Sequence, residues 1–211
     1  MGKHEPADDK GAKILAAATN LLADRGVQAL SYENVAHEAD LSRQLVRYYY
    51  SDLDSLIVDL CDHLANVYRE LLVTGIVDVG KVRRLDFFLD FFFDMADEKK
   101  MPAKLQVYDA MVAYSVGSAE LKERMCENYK TLGQVMTHEL AIAYPQLDGT
   151  ACEEISYLFV SLMHTNWSFI ASLGFSREHS RVTRKAMDRL IASYVSEAPS
   201  APLMERPWSR D

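Results

Sequence analysis

Apolar residues at helical spacing near the amino terminus constrain the fold more than any other feature of this 211-residue chain. Five of them lie at positions i, i+1, i+4, i+7 and i+8, which form one stripe along a helix. They are Ile14, Leu15, Ala18, Leu21 and Leu22. Gly26 follows the stripe, and glycine readily adopts the left-handed backbone that ends a helix. The pattern predicts an amphipathic first helix over residues 11–25.

Two further helices with a tight turn between them are predicted after the first. Ser31 can cap the second helix through its side-chain oxygen, and Val35 and Ala36 supply its apolar face. Asp40 falls at the turn, where the backbone needs a residue that tolerates the left-handed region. Ser42 follows as the cap of a third helix. The order of helix, tight turn and helix predicts a helix-turn-helix.

The third helix, residues 42–49, has two chemically different faces. The inner face consists of Leu45, Val46 and Tyr49. The outer face consists of Arg43, Gln44, Arg47 and Tyr48. No acidic residue occurs from 41 to 51, and arginine, glutamine and tyrosine are side chains that contact guanine, adenine and phosphate. The outer face therefore predicts DNA recognition, with an ordinary solvated polar face as the alternative.

The segment 13–56 resembles the DNA-binding domain of the tetracycline-repressor (TetR) family. That family has a recognition helix of the pattern Ser-x-x-x-Leu-Tyr-x-x-Phe. The corresponding block here reads Ser42-Arg43-Gln44-Leu45-Val46-Arg47-Tyr48-Tyr49-Tyr50. The resemblance covers about 45 residues without a gap. It implies an all-α protein with a DNA-binding head and a larger helical domain for ligand binding and dimerisation.

The resemblance also implies roles for individual residues of the head. Phosphate contacts are expected from Ser31, Tyr32 and Tyr49, and base contacts from Arg43, Gln44 and Arg47. The complete set of predicted DNA-binding residues is Ser31, Tyr32, Ser42, Arg43, Gln44, Arg47, Tyr48 and Tyr49.

Four positions depart from the family pattern. Asp40 stands at the turn glycine, Arg47 at a frequent tyrosine, and Leu53 at a lysine that often contacts phosphate. Glu33 adds a negative charge to the face of the second helix that approaches DNA in the family. We therefore expect the phosphate contact at position 53 to be missing.

The charge balance is unusual for a protein that binds DNA. The chain has a net charge of −8, and residues 1–52 carry 6 Lys and Arg against 8 Asp and Glu. Attraction to DNA must therefore be local to the third helix, with Lys10 and Lys13 as possible helpers. Few phosphate contacts predict a modest dependence of binding on salt.

The remainder of the chain is predicted to be helical, with turns marked by glycine and proline. The predicted helices are 52–74, 81–98, 102–117, 118–143, 149–173 and 177–197. Three parts are expected: a DNA-binding domain over 1–52, a ligand-binding and dimerisation domain over 53–197, and a flexible tail over 198–211. The sequence leaves open whether Trp208 of the tail docks on the protein.

The last two predicted helices carry long apolar stripes. These are Ile155, Leu158, Phe159, Leu162, Phe169 and Ile170, followed by Val182, Ala186, Leu190 and Tyr194. The two helices resemble the pair through which TetR-family proteins form a homodimer. The alternative is that they pack only within the subunit. A symmetric dimer is also what recognition of a palindrome requires.

An effector pocket is predicted in the middle of the chain, because aromatic and methionine side chains suit adaptable apolar pockets. The predicted lining residues are Phe88, Phe92, Tyr108, Met111, Tyr129, Met136, His164 and Trp167, with His63 and Asn66 as further polar candidates. The alternative for each residue is an ordinary place in the core. Asp86, Asp90 and Asp94 form a polar stripe on one helix, and a solvated stripe is favoured over a cation site.

No catalytic constellation, cofactor motif or metal site is identified. His138-Glu139 begins a metalloprotease-like string, but Ile142 stands where the second histidine is required. Cys61, Cys126 and Cys152 fit neither a disulfide framework nor a zinc site. With no apolar run of about 18 residues and no signal-peptide core, a cytoplasmic protein without membrane contact is expected.

These features together predict a ligand-responsive transcriptional regulator. The expected partners are a palindromic double-stranded DNA operator, a small apolar or aromatic effector, and a second copy of the chain. A repressor that the effector releases is favoured. Two alternatives are a helical ligand-binding or scaffold protein with weak or lost DNA binding, and a small-molecule enzyme on a helical fold.

Overall fold

The computed structural model describes residues 7–79, 84–95, 104–197, 204 and 206–209. Within these ranges it contains α-helices and no β-strand, so the predicted all-α class is confirmed. The helices are α1 Ala7–Arg25, α2 Tyr32–Glu38, α3 Arg43–Tyr49, α4 Leu53–Val79, α5 Arg84–Phe92, α6 Val107–Ser115, α7 Ala119–Ala143, α8 Gly149–Trp167 and α9 His179–Ser196. A 3₁₀ turn, Val27–Ala29, follows α1, and a π-helical turn, Ser168–Ser172, follows α8.

Several helix ends differ from those predicted. Gly75 does not end α4, which continues to Val79. A Cβ atom on Gly75 would overlap the ring of Phe87, so this glycine permits close helix packing and is not a stop signal. The helix predicted over 81–98 ends early, because α5 is described over Arg84–Phe92 and Phe93 lies in a turn; residues 81–83 lie outside the described residues. The predicted start of α6 at Pro102 lies outside the described residues.

Contacts divide the chain into two compact units. The first unit comprises Met1–Val67 and Ala103–Cys126, and the second comprises Tyr68–Pro102 and Glu127–Asp211. The first unit is thus larger than the predicted head 1–52, because α6 packs against α1.

Two polar links inside the first unit join segments that are far apart in sequence. Lys104 Nζ donates to Asn20 Oδ1 at 2.8 Å and lies 3.2 Å from Asp24 Oδ2. Tyr114 Oη donates to Asp54 Oδ1 at 2.5 Å. These links connect α1 and α4 with the segment around α6.

The second unit has an aromatic core. Phe88 and Phe92 of α5 pack against Phe159 of α8, with ring centroids 5.4 and 5.8 Å away. Trp167 stacks on Tyr68 at 5.7 Å, and its indole Nε1 donates to the backbone oxygen of Phe92 at 2.9 Å. That hydrogen bond satisfies the polar edge of a nearly buried indole, as a large aromatic core residue requires.

The predicted acidic stripe of Asp86, Asp90 and Asp94 is paired with arginines, and Asp86 is also exposed to solvent. Arg184 of α9 is 6% exposed, and its Nε donates to Asp90 Oδ1 at 2.8 Å. The same guanidinium contacts Asp86 and Asp188, and Arg177 pairs with Asp94. The sequence could not show this, because the pairing arginines lie about ninety residues further along the chain.

The described part of the carboxyl-terminal segment is docked and is not free. Trp208 Nε1 donates to Ser156 Oγ at 2.9 Å, and its ring packs edge-on against Tyr157 with centroids 5.4 Å apart. The backbone N–H of Met204 donates to the buried carboxylate of Glu154 at 3.1 Å. At Met204 and Trp208 the segment predicted to be flexible is thus held by hydrogen bonds to α8.

Gly133 of α7 makes room for the docked indole, which leads to a stability prediction. A Cβ atom at this position would overlap the Trp208 ring, so Gly133→Ala should lower the unfolding free energy by about 1–3 kcal/mol. Gly149→Ala is the matched control, because no atom lies within 4 Å of a Cβ there. Denaturant unfolding of both variants measures the difference.

Combining Gly133→Ala with Trp208→Ala isolates the cause. Without the indole, the added methyl group has nothing to overlap, so Gly133→Ala should then cost little or nothing. An equal loss of stability in both backgrounds would show that the glycine serves some purpose other than seating Trp208.

Candidate nucleic-acid interface

Capping hydrogen bonds mark the starts of α2 and α3, and a left-handed residue lies in the turn between them. Ser31 Oγ accepts from the N–H of Asn34 at 3.1 Å, and Ser42 Oγ accepts from the N–H of Leu45 at 3.2 Å. Asp40 has φ 54°, so the predicted left-handed turn is confirmed. These contacts satisfy backbone donors that the first turn of a helix leaves unpaired. They fix where α3 begins.

The inner face of α3 is buried as predicted. Val46 is fully buried, while Leu45 and Tyr49 are half-buried. The ring of Tyr49 lies over the backbone of Gly11 in α1. Tyr50, just after the helix, is 8% exposed, and burial followed by the nearby Asp59 carboxylate raises its pKa to about 12. The phenol of Tyr50 therefore remains neutral and forms part of the core.

The outer face of α3 is open to solvent. Arg43, Gln44, Arg47 and Tyr48 are all exposed, and the side chain of Tyr48 reaches 83% exposure. The predicted division of α3 into a packed inner face and an exposed outer face is thus confirmed. The four side chains form a surface from which two guanidinium groups, an amide and a phenol can reach a groove of DNA.

One of these side chains is packed against α2. The guanidinium carbon of Arg47 lies 4.8 Å from the ring centroid of Tyr32, a cation–π contact. The hydroxyl oxygen of Tyr32 is buried and has no hydrogen-bond partner among the described residues. The phosphate contact expected from this hydroxyl would require the side chain to turn outward. Local sequence patterns did not indicate the Tyr32–Arg47 contact.

Two residues at the start of α4 follow α3 closely in sequence and are negatively charged. Asp52 caps the helix: its Oδ1 accepts from the N–H of Ser55 at 2.7 Å, and this hydrogen bond is the largest cause that lowers the pKa of Asp52. Asp54 follows and is also exposed. Leu53 between them is half-buried and offers no cation. The positive charge available to DNA here comes from Arg43 and Arg47 of α3.

The predicted effector-binding residues fall in both units. His63, Asn66, Tyr108 and Met111 belong to the first unit, where His63 and Asn66 are exposed and Met111 is fully buried. Phe88, Phe92, Tyr129, Met136, His164 and Trp167 belong to the second unit. There Tyr129 Oη lies 2.8 Å from His164 Nδ1, while Phe92 stacks with Trp167 at 6.2 Å.

The described residues show neither a metal-binding cluster nor a membrane-spanning helix. No group of three or more His, Cys, Asp or Glu side chains suited to a metal ion occurs in the part of the chain that the structure describes. Among the same residues, no helix is long and apolar enough to cross a membrane.

A capped, left-handed turn between two short helices, followed by an exposed face of arginine, glutamine and tyrosine, defines a helix-turn-helix DNA-binding protein. Residues 14–60 match the family model described as "Bacterial regulatory proteins, tetR family". Over these residues the predicted resemblance to the DNA-binding domain of the TetR family is thus confirmed. No curated protein sequence matches it significantly.

Solved structures share the fold over most of the chain. A TetR transcription regulator from Haloarcula marismortui ATCC 43049 is 18% identical, with a TM-score of 0.73 over 88% of this chain and 98% of that one. A regulator from Pseudomonas aeruginosa PAO1 is 20% identical, with a TM-score of 0.72 over 92% and 95%. A Saccharomonospora viridis protein in complex with choline is 14% identical, with a TM-score of 0.72 over 88% and 96%.

Proposed function

We propose that this regulator is a homodimeric repressor that binds a palindromic operator through α3 and is released by a small apolar or aromatic effector. The observation that carries the DNA-binding part is the exposure of Arg43, Gln44 and Arg47 on a helix whose opposite side is buried. Such a helix can enter the major groove while its inner side stays packed. No enzymatic role is proposed.

The three side chains suit base recognition for chemical reasons. Arginine can donate two hydrogen bonds to the O6 and N7 of guanine, and glutamine can pair with N6 and N7 of adenine. The described residues offer neither Arg43 nor Arg47 a carboxylate partner within ion-pair distance. Their guanidinium groups are therefore available to DNA.

Replacement of Arg43 by alanine tests base recognition. If Arg43 reads a guanine, the variant should bind the intergenic DNA beside its own gene about 1–3 kcal/mol more weakly, with little change on random DNA. Lys130→Ala is a control that removes an exposed positive charge from α7. Gel-shift titration of the parent and both variants on the two DNAs gives the comparison.

The same titration separates the proposal from its main alternative. Exposed Glu33, Asp52 and Asp54 make a scaffold protein with weak or lost DNA binding the competing function. Equal affinity of the parent chain for intergenic and random DNA would favour that alternative. An equal loss for Arg43→Ala on both DNAs would instead indicate a phosphate contact.

The aromatic side chains of the second unit support an effector site there. Tyr68, Phe92 and Trp167 stack on one another, and the Tyr129–His164 pair adds hydrogen-bonding groups one helical turn from Trp167. Aromatic faces suit aromatic molecules and also quaternary ammonium cations. The choline bound to the Saccharomonospora viridis protein makes that cation a reasonable first candidate beside aromatic compounds.

An effector that releases the protein must bind the DNA-free form better than the DNA-bound form. We expect a true effector to lower operator affinity at least tenfold, and Trp167→Leu to weaken effector binding more than DNA binding. Calorimetry with choline and with small aromatic acids identifies a binder, and gel shifts with and without it measure the coupling. Equal DNA affinities in both conditions would exclude release by that compound.

Exposed apolar side chains on α8 and α9 support dimerisation through these helices. Val182 of α9 is 63% exposed, and Phe169 in the π-helical turn after α8 is 46% exposed, while Leu158, Leu162 and Leu190 are half-buried. Buried polar contacts hold the two helices together: Asn166 Nδ2 donates to Ser180 Oγ at 3.2 Å. A rigid helix pair with apolar residues left at its surface suits an isologous interface.

A charge on the outer face of α9 should prevent dimerisation. Val182→Asp places a carboxylate on the proposed interface, while Ala192→Asp places one on a different exposed side of the same helix. We expect Val182→Asp to sediment as a monomer and Ala192→Asp as a dimer, both with helical circular dichroism. Dimers of both variants would show that this face of α9 is not the interface.

A further inference from the structure

The contact between Arg47 and Tyr32 joins the two helices of the helix-turn-helix. Tyr32 is the first residue of α2, and Arg47 lies near the end of α3. The guanidinium carbon is 4.8 Å from the ring centroid, inside the roughly 6 Å range of cation–π attraction. Tyr32 can therefore influence a side chain of the recognition surface without touching DNA itself.

The tyrosine ring is the contact that orients this guanidinium. Arg47 is exposed, and no carboxylate of the described residues lies within ion-pair distance of it. A free arginine side chain loses rotamer entropy when it is fixed on a base. A ring that already holds the guanidinium lowers that loss on binding.

The ring itself is held in place. The hydroxyl oxygen of Tyr32 is buried, so the side chain points into the protein and presents a ring face to Arg47. The hydroxyl end of the Tyr32 side chain is therefore packed inside the first unit.

We propose that Tyr32 is a positioning residue for DNA recognition, which holds the guanidinium of Arg47 in the orientation that reads the operator. The family pattern has a tyrosine where this chain has Arg47, so the pair is a feature of this chain and not of the family pattern. The inference rests on the proposed function, because it assumes that Arg47 contacts the operator.

Two substitutions of Tyr32 separate the ring from the hydroxyl. Tyr32→Phe keeps the ring and removes a hydroxyl without a partner among the described residues, whereas Tyr32→Leu removes the ring. Tyr32→Leu should weaken binding to the intergenic duplex about two- to fivefold, the effect of an exposed cation–π contact. Tyr32→Phe should keep the affinity of the parent protein. Fluorescence anisotropy with a labelled duplex measures both.

A double-mutant cycle shows whether Tyr32 acts through Arg47. In an Arg47→Ala background, Tyr32→Leu should cause no further loss, whereas in an Arg43→Ala background its loss should persist. An equal loss in both backgrounds would assign Tyr32 a merely structural role. Tighter binding by Tyr32→Leu would show that the ring keeps Arg47 away from DNA, and it would overturn the proposal.

Nuclear magnetic resonance tests the contact without DNA. The ring of Tyr32 should shift the side-chain proton resonances of Arg47 upfield, and this shift should survive Tyr32→Phe and disappear in Tyr32→Leu. Parent protein that showed the shift yet failed to prefer intergenic over random duplex would contradict the proposed function alone. Absence of the shift in the parent would contradict the positioning contact itself.

Discussion

Burial of the inner face of α3 is the constraint on which the DNA-facing surface depends. The helix spans only Arg43–Tyr49, and helices shorter than about 12 residues are marginal by themselves in water. Its stability must therefore come from packing, chiefly of fully buried Val46 and of Tyr49 on α1. The same packing determines which residues face outward. Exposure of Arg43, Gln44 and Arg47 thus follows from what is buried behind them.

The negative net charge of this protein limits its nonspecific attraction to DNA. The chain carries −8 overall, and Asp52 and Asp54 flank Leu53 at the start of α4. Two arginines on α3 therefore act within an acidic surrounding, where nonspecific attraction to phosphates is weak. In this setting the proposed operator contacts depend more on how each guanidinium is oriented, which is the role proposed for the Tyr32 ring at Arg47.

Features set by near neighbours in sequence were predictable. The left-handed turn at Asp40, the caps at Ser31 and Ser42 and the two faces of α3 all follow from short patterns, and the structure confirms them. Each depends on residues within one or two helical turns. The helix-turn-helix could thus be predicted from the sequence alone, and its resemblance to the TetR family agrees with the family-model match over residues 14–60.

Features set by distant residues were not predictable. The Trp208 indole packs beside Gly133, and Asp90 of α5 pairs with Arg184 of α9. Gly75 is not the predicted helix end, because it instead allows the Phe87 ring to pack closely against α4. Each of these depends on tertiary contacts across many residues, which helical periodicity does not encode.

Selection of duplexes from a random-sequence library by the purified protein tests the central claim most directly. If α3 of two subunits reads bases, selection should enrich an inverted repeat whose half-sites lie about 34 Å apart or at a multiple of that distance. Enrichment should fail when the outer face of α3 is replaced by alanine. A parent protein that enriches no sequence, or one whose enrichment survives that replacement, would contradict the account.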